Sequence, residues 1–293
     1  MTMVFIDTNV YLDFYRSRND AIRILQDLVD HHASKLLFPE QVYLEIRRNK
    51  DSIIGEVISD LTESKKNVPS LPASSLISES EYEEWNTAKK AVLAPLLDKI
   101  IKKLNERLED STKDEIYSQI KSIYSHAHVI ATTDEHLRNA EKRRFLGNPP
   151  RPQKGKLASA CDEIIWEAIL ASVKDDLIIV SRDGTYKSHL SFLRDEFYET
   201  TGYQLIGVVN KISDSISNLG QTVSPEISDI EDQQIEGIKW TPFGHFGQFA
   251  SGEYWVASQS TPPYDYGHCH MCGREDHLIR GLCLRCNAIE AED

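Results

Sequence analysis

Long hydrophobic runs are missing from this sequence of 293 residues. No apolar stretch approaches the ~18 residues that cross a bilayer, which argues against a membrane protein. The first apolar run is interrupted by Asp7 and has no basic segment before it, so we expect no signal peptide and a cytoplasmic location. With 40% hydrophobic and 27% charged residues, the composition is that of an ordinary globular protein.

Positive charge is also scarce. The sequence has 33 Lys and Arg residues against 46 Asp and Glu residues, which gives a net charge of −13. This balance argues against general electrostatic coating of nucleic acid, which needs Lys and Arg to neutralise phosphates. It does not exclude nucleic acid as a substrate. Carboxylates that hold divalent metals add negative charge, and a local basic patch can still guide a phosphate backbone.

Cysteine is rare, with five residues, and four of them fall within residues 269–286. In a chain without a secretory signal, clustered cysteine pairs indicate a metal site before disulfides. Two Cys-x-x-Cys pairs with adjacent glycines predict a structural Zn²⁺ held by four thiolates, from Cys269, Cys272, Cys283 and Cys286. Cys161 stands apart and is interpreted as a small packing residue.

Short apolar runs alternate with helical patterns along residues 1–211, which predicts an α/β domain whose parallel sheet is covered on both faces. Strands are expected at 4–9, 35–39, the start of 176–186, and 203–209. Helices are expected at 21–32, 39–50, 159–170 and 189–202.

Three further segments complete the predicted domain organisation. Residues 51–140 have helical periodicity and predict an expansion of two or three long helices. Residues 212–238 carry six acidic residues and no Lys or Arg, and we interpret them as a solvated acidic linker with one short helix at its start. Residues 239–293 are rich in Gly and aromatic residues and predict a separate small module, in which the aromatics form the core or, alternatively, stack on bases.

Four acidic residues fall where predicted strands end or helices begin. They are Asp7 after the first strand, Glu45 in the helix after the second, Asp162 in a first helical turn, and Asp183 after the strand "LIIV". Because the carboxyl ends of parallel strands lie at one edge of a sheet, these residues are expected to meet in one cleft. Clustered carboxylates repel each other unless a cation lies among them, and oxygen ligands of this kind suit Mg²⁺ or Mn²⁺.

The stretches "FIDTNVYLD", "LEI", "CDEIIWEAIL" and "VSRDGTY" resemble the four acidic motifs of PIN-domain nucleases. The Pro-Pro loop before Asp162 is similar to that of a prokaryotic PIN-like subgroup. The resemblance covers about residues 1–210 and implies a three-layer α/β/α fold and metal-dependent hydrolysis of a phosphodiester, usually in RNA. The C-terminal cysteine pairs resemble a small zinc ribbon.

The resemblance also implies roles for individual residues. Asp7, Asp162 and Asp183 would hold a Mg²⁺ or Mn²⁺ that polarises a phosphoryl oxygen and lowers the pKa of a bound water. Glu45 would hold a second metal or orient the water. Hydrogen-bond donors that support these ligands are expected at Thr8, Asn9 and Ser181.

The stretch "KRRFLGNPPRPQKGK", residues 142–156, has six basic residues and no acid, and it leads directly into Asp162. A positive loop beside a metal cleft predicts contacts with a phosphate backbone. The predicted contacts are Arg143, Arg144, Arg151, Lys154 and Lys156. The alternative is an ordinary solvated loop. Two further acids near the motifs, Asp13 and Glu163, are interpreted as solvated charges.

Three functional interpretations follow. The leading one is an endoribonuclease that acts as a toxin or in phage defence, with an inhibitory or activating protein partner, a role carried by analogy alone. A homodimer is compatible with it. The second is a catalytically silent PIN-like module whose zinc-binding tail docks on RNA or protein, although the presence of all four acids argues against it. The third, a phosphatase of the haloacid dehalogenase kind, is disfavoured because Asn9 occupies the position of a required second Asp.

Overall fold

The computed structural model describes residues 2–17, 19–66, 78–150, 160–239, 265–268, 275–279 and 282–283. The strands are β1 (Thr2–Ile6), β2 (Leu36–Pro39), β3 (His128–Ile130), β4 (Asp176–Val180), β5 (Leu205–Val209), β6 (Asp265–His268), β7 (Glu275–Ile279) and β8 (Leu282–Cys283). The α-helices are α1 (Thr8–Leu12), α2 (Ile22–Asp27), α3 (Glu40–Lys66), α4 (Glu79–Ala88), α5 (Ala94–Glu109), α6 (Glu115–His126), α7 (Asp134–Leu146), α8 (Cys161–Ser172), α9 (Gly184–Lys187), α10 (Leu190–Thr201), α11 (Ile212–Asn218) and α12 (Pro225–Lys239). Short 3₁₀ turns lie at Asp13–Tyr15, Asn19–Ala21, Ala33–Lys35 and Ser111–Lys113, and π-helical turns at Leu28–His32 and Lys89–Leu93.

The first five strands form one parallel sheet in the order β3-β2-β1-β4-β5, which confirms the predicted parallel α/β sheet. Strands β1 and β4 pair from Thr2 opposite Asp176 to Ile6 opposite Val180. The last four residues of both strands are buried. Successive side chains in a strand point to opposite faces, so this burial requires helices on both sides of the sheet.

Helices provide that cover in two groups. Helix α8 contacts the sheet at β2 and β3 and packs against α3, α7 and α10. Helix α11 contacts the sheet at β1, β4 and β5 and packs against α12, which in turn contacts α2. The fully buried Trp166 of α8 lies against Tyr186 and Phe197 and anchors the first group in the core.

Two strand predictions differ from the structure. The first strand ends at Ile6 rather than at residue 9, because the Asp7 side chain accepts from Thr8 N at 2.7 Å and caps a helix that begins there. Strand β3 lies within residues 51–140, where the sequence predicts two or three long helices and no strand. It has three residues, and only Ile130 is buried, so it leaves no alternating apolar pattern in the sequence.

Residues 51–140 contain more helices than the two or three predicted: the end of α3, then α4, α5, α6 and the start of α7. Helix α3 has 27 residues and continues from the sheet into the expansion without a break at residue 51. Helices α4 and α5 form one continuous helical stretch through the π-helical turn between them. The predicted end of α10 at Gly202 is also confirmed, since Gly202 has a positive φ of 77° that favours glycine.

The structure corrects the interpretation of residues 212–238 as a solvated linker. The segment forms α11 and α12, and four isoleucines of these helices are buried in the core, at positions 212, 216, 227 and 230. Glu231 is completely buried and accepts hydrogen bonds from the backbone N of Ile212 at 2.6 Å and of Ser213 at 2.9 Å. The acidic residues Asp214, Glu226 and Asp229 lie on the exposed side. The many acidic residues therefore obscured, in the sequence, an apolar helix face whose isoleucines recur every three or four positions.

The C-terminal strands form an antiparallel sheet in the order β6-β7-β8. The chain divides into two compact units, residues 1–252 and 253–293, and this sheet belongs to the second. Cys283 lies in β8, whereas Cys269, Cys272 and Cys286 lie outside the described residues. The aromatic residues predicted to form the module's core also lie outside them. The zinc site stays a prediction.

The described helices include none that is long and apolar enough to cross a membrane.

Candidate active site

Asp7 and Asp183 meet at the carboxyl ends of the neighbouring strands β1 and β4. Each side chain caps a helix: Asp7 caps α1, and Asp183 caps α9 by accepting from Thr185 N at 2.8 Å. Asn9 lies between them, and its Nδ2 donates to Asp7 Oδ2 at 2.9 Å and to Asp183 Oδ2 at 3.0 Å. Only the NH₂ group of an amide can donate to carboxylates, which fixes the orientation of the Asn9 side chain.

Ser181 adds hydrogen bonds to the same pair of carboxylates, Asp7 and Asp183. Its hydroxyl donates to Asp7 Oδ2 at 2.8 Å and lies 3.4 Å from Asp183 Oδ1. The strand ladder fixes the backbone on both sides, since Asp7 N donates to Val180 O and Ser181 N donates to Val209 O, each at 2.9 Å. The carboxylates are therefore held by the ends of three adjacent strands, in the place that the sequence predicted.

Glu45 joins the cluster from α3. The hydroxyl of Thr8 donates to Glu45 Oε2 at 2.8 Å, which places this carboxyl beside the start of α1. Helix α3 follows β2 directly, so its second turn lies at the same edge of the sheet as Asp7. Thr8, Asn9 and Ser181 thus hydrogen-bond to the acidic side chains, and their support of metal ligands stays a prediction.

Asp162 lies in the first turn of α8, and its charge is close to those of the other three acids. Burial raises the pKa of the Asp162 carboxyl well above its ordinary value, and the negative charges of Asp7, Glu45 and Asp183 raise it further. The structure therefore brings all four predicted acids into one electrostatic cluster.

Asp7 and Glu45 are destabilised as anions for the same reasons. Burial raises the pKa of Asp7 well above its ordinary value, Asp183 and Glu45 raise it further, and the hydrogen bond from Ser181 opposes the change. Burial also raises the pKa of Glu45, against the opposing effects of Thr8 and Arg48. Ionised carboxyls so placed repel one another, and a cation among them relieves that repulsion.

A hard divalent cation fits the donor chemistry of this cluster. Carboxylate oxygens are the ligands that Mg²⁺ and Mn²⁺ prefer. Asn9 Oδ1 adds a buried oxygen that has no hydrogen-bond partner among the described residues. Within the same part of the chain, no group of three or more His, Cys, Asp or Glu side chains is already arranged to hold a metal ion. Instead, Asn9 and Ser181 donate to the oxygens of Asp7 and Asp183.

Sequence reasoning missed Tyr186. This side chain is completely buried, and its ring contacts Phe5 and Trp166, with centroids 6.0 and 6.5 Å away. Its hydroxyl has no hydrogen-bond partner in the described part of the chain. Burial raises the pKa of Tyr186, and all four acids of the cluster raise it further, so the phenol stays neutral. The only sequence signal is that Tyr186 follows Asp183 by about one helical turn.

Cys161 has more than the packing role predicted for it. The thiol is buried, and its Sγ accepts from Gln41 Nε2 at 3.0 Å and from Arg48 Nη2 at 3.3 Å. These contacts join the start of α8 to α3 and position Asp162 relative to Glu45. Spacing in the sequence gives no sign of them, because Gln41 and Cys161 are 120 residues apart.

The structure gives Arg143 a different role from the predicted phosphate contact. Its side chain is buried and forms ion pairs with Glu167 and Glu196, both at 2.6 Å. A second hydrogen bond to Glu196 at 3.0 Å makes that pair bidentate, which joins α7 to α8 and α10. Arg144 remains partly exposed, and Arg151, Lys154 and Lys156 lie outside the described residues. Their contacts with a phosphate backbone stay predictions.

Two acids interpreted as solvated charges are not solvated. Glu163 is 2% exposed. Asp13 accepts from Arg182 Nη1 at 2.9 Å, and a second pair at 3.4 Å joins Arg182 to the buried Glu231. Helix α12 is thereby connected through Arg182 to β4 near Asp183. Neither contact is visible in the sequence, because the three residues lie far apart along the chain.

The fold and the site define an α/β protein with acidic residues at the ends of parallel strands. A family model described as a PIN domain matches residues 4–186, more than half of the chain. The chain therefore belongs to the PIN-domain family, whose members are generally metal-dependent nucleases that typically use Mg²⁺ or Mn²⁺. Comparisons with curated proteins and with solved structures give no match.

Proposed function

We propose that this protein is a metal-dependent endonuclease that hydrolyses phosphodiester bonds in RNA. One observation carries the proposal: Asp7 and Asp183 share the amide of Asn9 at the ends of adjacent strands, and Asp162 and Glu45 belong to the same cluster of charges. Carboxylates collected in this way are unfavourable without a cation.

In this proposal Asp7, Asp162 and Asp183 would hold a Mg²⁺ or Mn²⁺, and Glu45 would bind a second ion or orient water. The chemistry supplied at this site would be polarisation of a phosphoryl oxygen and activation of water. The chain's other residues position these ligands. Thr8 fixes Glu45, while Ser181 and Asn9 fix the two aspartates at the strand ends.

The choice of RNA, and a role as a toxin or in phage defence, rest on the resemblance to PIN-domain nucleases. Arg144, near the end of α7, and the basic residues 151, 154 and 156 would contact the phosphate backbone, because the segment after α7 leads to Asp162. The zinc module would bind substrate or an inhibitory or activating partner. A cytoplasmic location agrees with such a substrate.

The direct test compares the purified full chain with two variants on structured RNA and on single-stranded DNA. Asp162→Asn removes one charge from the cluster, and Asp195→Asn makes the same change on the exposed side of α10 as the matched control. We expect Mn²⁺- or Mg²⁺-dependent cleavage that chelator abolishes, that Asp162→Asn reduces about 10²-fold or more, and that Asp195→Asn leaves unchanged.

Either of two results would overturn the proposal. Equal cleavage by the Asp162→Asn variant would mean that the cluster is not the active site. No cleavage with either metal, combined with no Mn²⁺ binding by the folded protein, would favour the silent binding module. Cleavage of DNA and not RNA would contradict the proposed substrate while retaining the nuclease.

A further inference from the structure

Arg48 lies beside the acid cluster, on the same side of α3 as Glu45. The two residues are three positions apart, which makes their side chains neighbours on the helix surface. The Nη2 atom of Arg48 donates to Cys161 Sγ at 3.3 Å, and Cys161 immediately precedes Asp162. The positive charge of Arg48 also opposes the effect of burial on the pKa of Glu45. The guanidinium is therefore close to two of the four acids.

The contact with Cys161 uses little of the binding capacity of Arg48. A guanidinium is a planar fork of several N–H donors, and a thiol sulfur is a weak acceptor. The described residues provide no other hydrogen bond or ion pair to the Arg48 side chain, and the residue is exposed to solvent. Most of its donors are therefore available to a ligand with stronger acceptors.

Other arginines near the cluster are already occupied by carboxylates. Arg182, in the turn after β4, forms ion pairs with Asp13 at 2.9 Å and with the buried Glu231 at 3.4 Å. Arg143 is buried and forms ion pairs with two glutamates. Arg48 has a thiol in the place of these carboxylates, so it can bind an anion without first breaking an ion pair.

A phosphodiester is an anion that needs such a cation at this site. Four carboxylates repel its negative charge, and a positive group beside them offsets part of that repulsion. A guanidinium suits phosphate, because two parallel N–H groups match two phosphate oxygens. The position of Arg48 at the edge of the cluster therefore fits the phosphate of a nucleic-acid backbone.

We propose that Arg48 is a substrate-binding residue, which donates to the non-bridging oxygens of the RNA phosphodiester that lies at the acid cluster. This inference rests on the proposed nuclease function and adds a phosphate contact to it. Gln41 Nε2 donates to the same thiol at 3.0 Å, so the link between α3 and α8 is kept when Arg48 turns to the phosphate.

The first experiment measures RNA binding by fluorescence anisotropy with a labelled RNA hairpin. All proteins are full-length, carry Asp162→Asn and are kept in chelator, so that the RNA is not cleaved. Arg48→Ala should weaken binding about tenfold or more and lower its salt dependence by about one ion. Arg48→Lys should have an intermediate affinity, since lysine keeps the charge but lacks the planar fork.

Arg47→Ala is the matched control. Arg47 is an exposed arginine of the same helix, but it is two positions from Glu45 and therefore does not face it. Its guanidinium lies 5.9 Å from the centroid of the Tyr43 ring instead. Arg47→Ala should change RNA affinity much less than Arg48→Ala. Equal losses in the two variants would overturn the proposal, because they would reflect net charge alone.

The second experiment separates substrate binding from a structural role of Arg48. Mn²⁺ is titrated into the Arg48→Ala variant of the otherwise unchanged chain. If the contact with Cys161 is needed to position Asp162, Mn²⁺ binding becomes weaker. We expect Mn²⁺ affinity that is unchanged or higher, because a positive charge beside Glu45 has been removed.

Two results contradict the inference, and a third separates it from the proposed function. Weaker Mn²⁺ binding by Arg48→Ala overturns the proposal, and so does unchanged RNA affinity. RNA binding that depends on Arg48, in a wild type that cleaves no RNA with either metal, would support the phosphate contact and contradict the proposed nuclease.

Discussion

The hydroxyl of Ser181 donates a 2.8 Å hydrogen bond to Asp7 Oδ2 and joins the ends of the neighbouring strands β4 and β1. Without this bond, one oxygen of a buried carboxyl loses a donor, and the pKa of Asp7 rises further above its ordinary value. Because β4 lies next to β1, Ser181 can support Asp7, and this hydrogen bond should raise the affinity of the proposed metal site.

Ser181→Ala should weaken Mn²⁺ binding and cleavage by about 10–100-fold, the usual effect of removing a residue that positions a metal ligand. Calorimetric titration with Mn²⁺ and initial cleavage rates measure the two effects. Ser191→Ala, an exposed serine of α10, is the matched control. Unchanged Mn²⁺ affinity in Ser181→Ala would show that Asp7 needs no such support.

Asn9→Ala removes the amide that lies between Asp7 and Asp183. Because hydrogen bonds to charged groups contribute about 1.5–3 kcal/mol, the metal-free variant should unfold at a temperature several degrees below the wild type. Added Mn²⁺ should recover part of this loss, since a cation offsets the same repulsion. Thermal unfolding with and without Mn²⁺ measures both effects. A loss that is identical in the two conditions would contradict the account.

Metal-free stability should depend on pH in a defined direction. The pKa values of Asp7 and Asp162 are raised by burial and by their acidic neighbours, so the folded protein binds protons more tightly than the unfolded chain. That contribution is complete below the unfolded pKa and disappears as pH rises through the folded pKa. The unfolding temperature of the chelator-treated protein should therefore fall as pH increases from about 5 to 8.

The Asp162→Asn variant provides the control for this pH dependence. A neutral amide in place of a carboxyl with a raised pKa should make the metal-free variant more stable than the wild type at pH 8 and reduce the slope. If the variant has the same slope and a lower unfolding temperature, then Asp162 is stabilised as an anion, contrary to the geometry.

Substitutions of the two neighbouring arginines, Arg143 and Arg144, should affect different properties: the first the stability of the fold, the second the binding of RNA. Arg143→Ala leaves the carboxylates of Glu167 and Glu196 without their buried partner, and such a loss destabilises by about 3 kcal/mol or more. Arg144→Ala should leave the unfolding temperature unchanged but weaken RNA binding and lower its salt dependence by about one ion. Thermal unfolding and fluorescence anisotropy at several salt concentrations separate the two. Equal unfolding temperatures for both variants would contradict the structural role of Arg143.

The sequence allowed the sheet and the acid cluster to be predicted because both follow from local patterns. A buried strand leaves an apolar run, and parallel strands end at one edge, so Asp7 and Asp183 had to be near each other once their strands were adjacent. Thr8 and Ser181 could be inferred as neighbours of these acids for the same reason.

Contacts between distant segments could not be predicted. Arg143 looks like part of a basic loop in the sequence, and its partners Glu167 and Glu196 are 24 and 53 residues away. Glu231 is similar, since its charge suggests exposure until Ile212, Ser213 and Arg182 are placed around it. Composition misled in the acidic segment 212–238, because most of its acids face solvent while its isoleucines pack into the core and Glu231 is buried.

The measurement that tests the central claim most directly is Mn²⁺ titration of the chelator-treated full-length protein, comparing the wild type with Asp162→Asn and with the Asp195→Asn control. The account predicts an Mn²⁺ site in the wild type and the control that is lost or weakened at least tenfold in Asp162→Asn. Equal Mn²⁺ affinity in all three proteins, or no binding by the folded wild type, would contradict the assignment of the four carboxyls to a metal site.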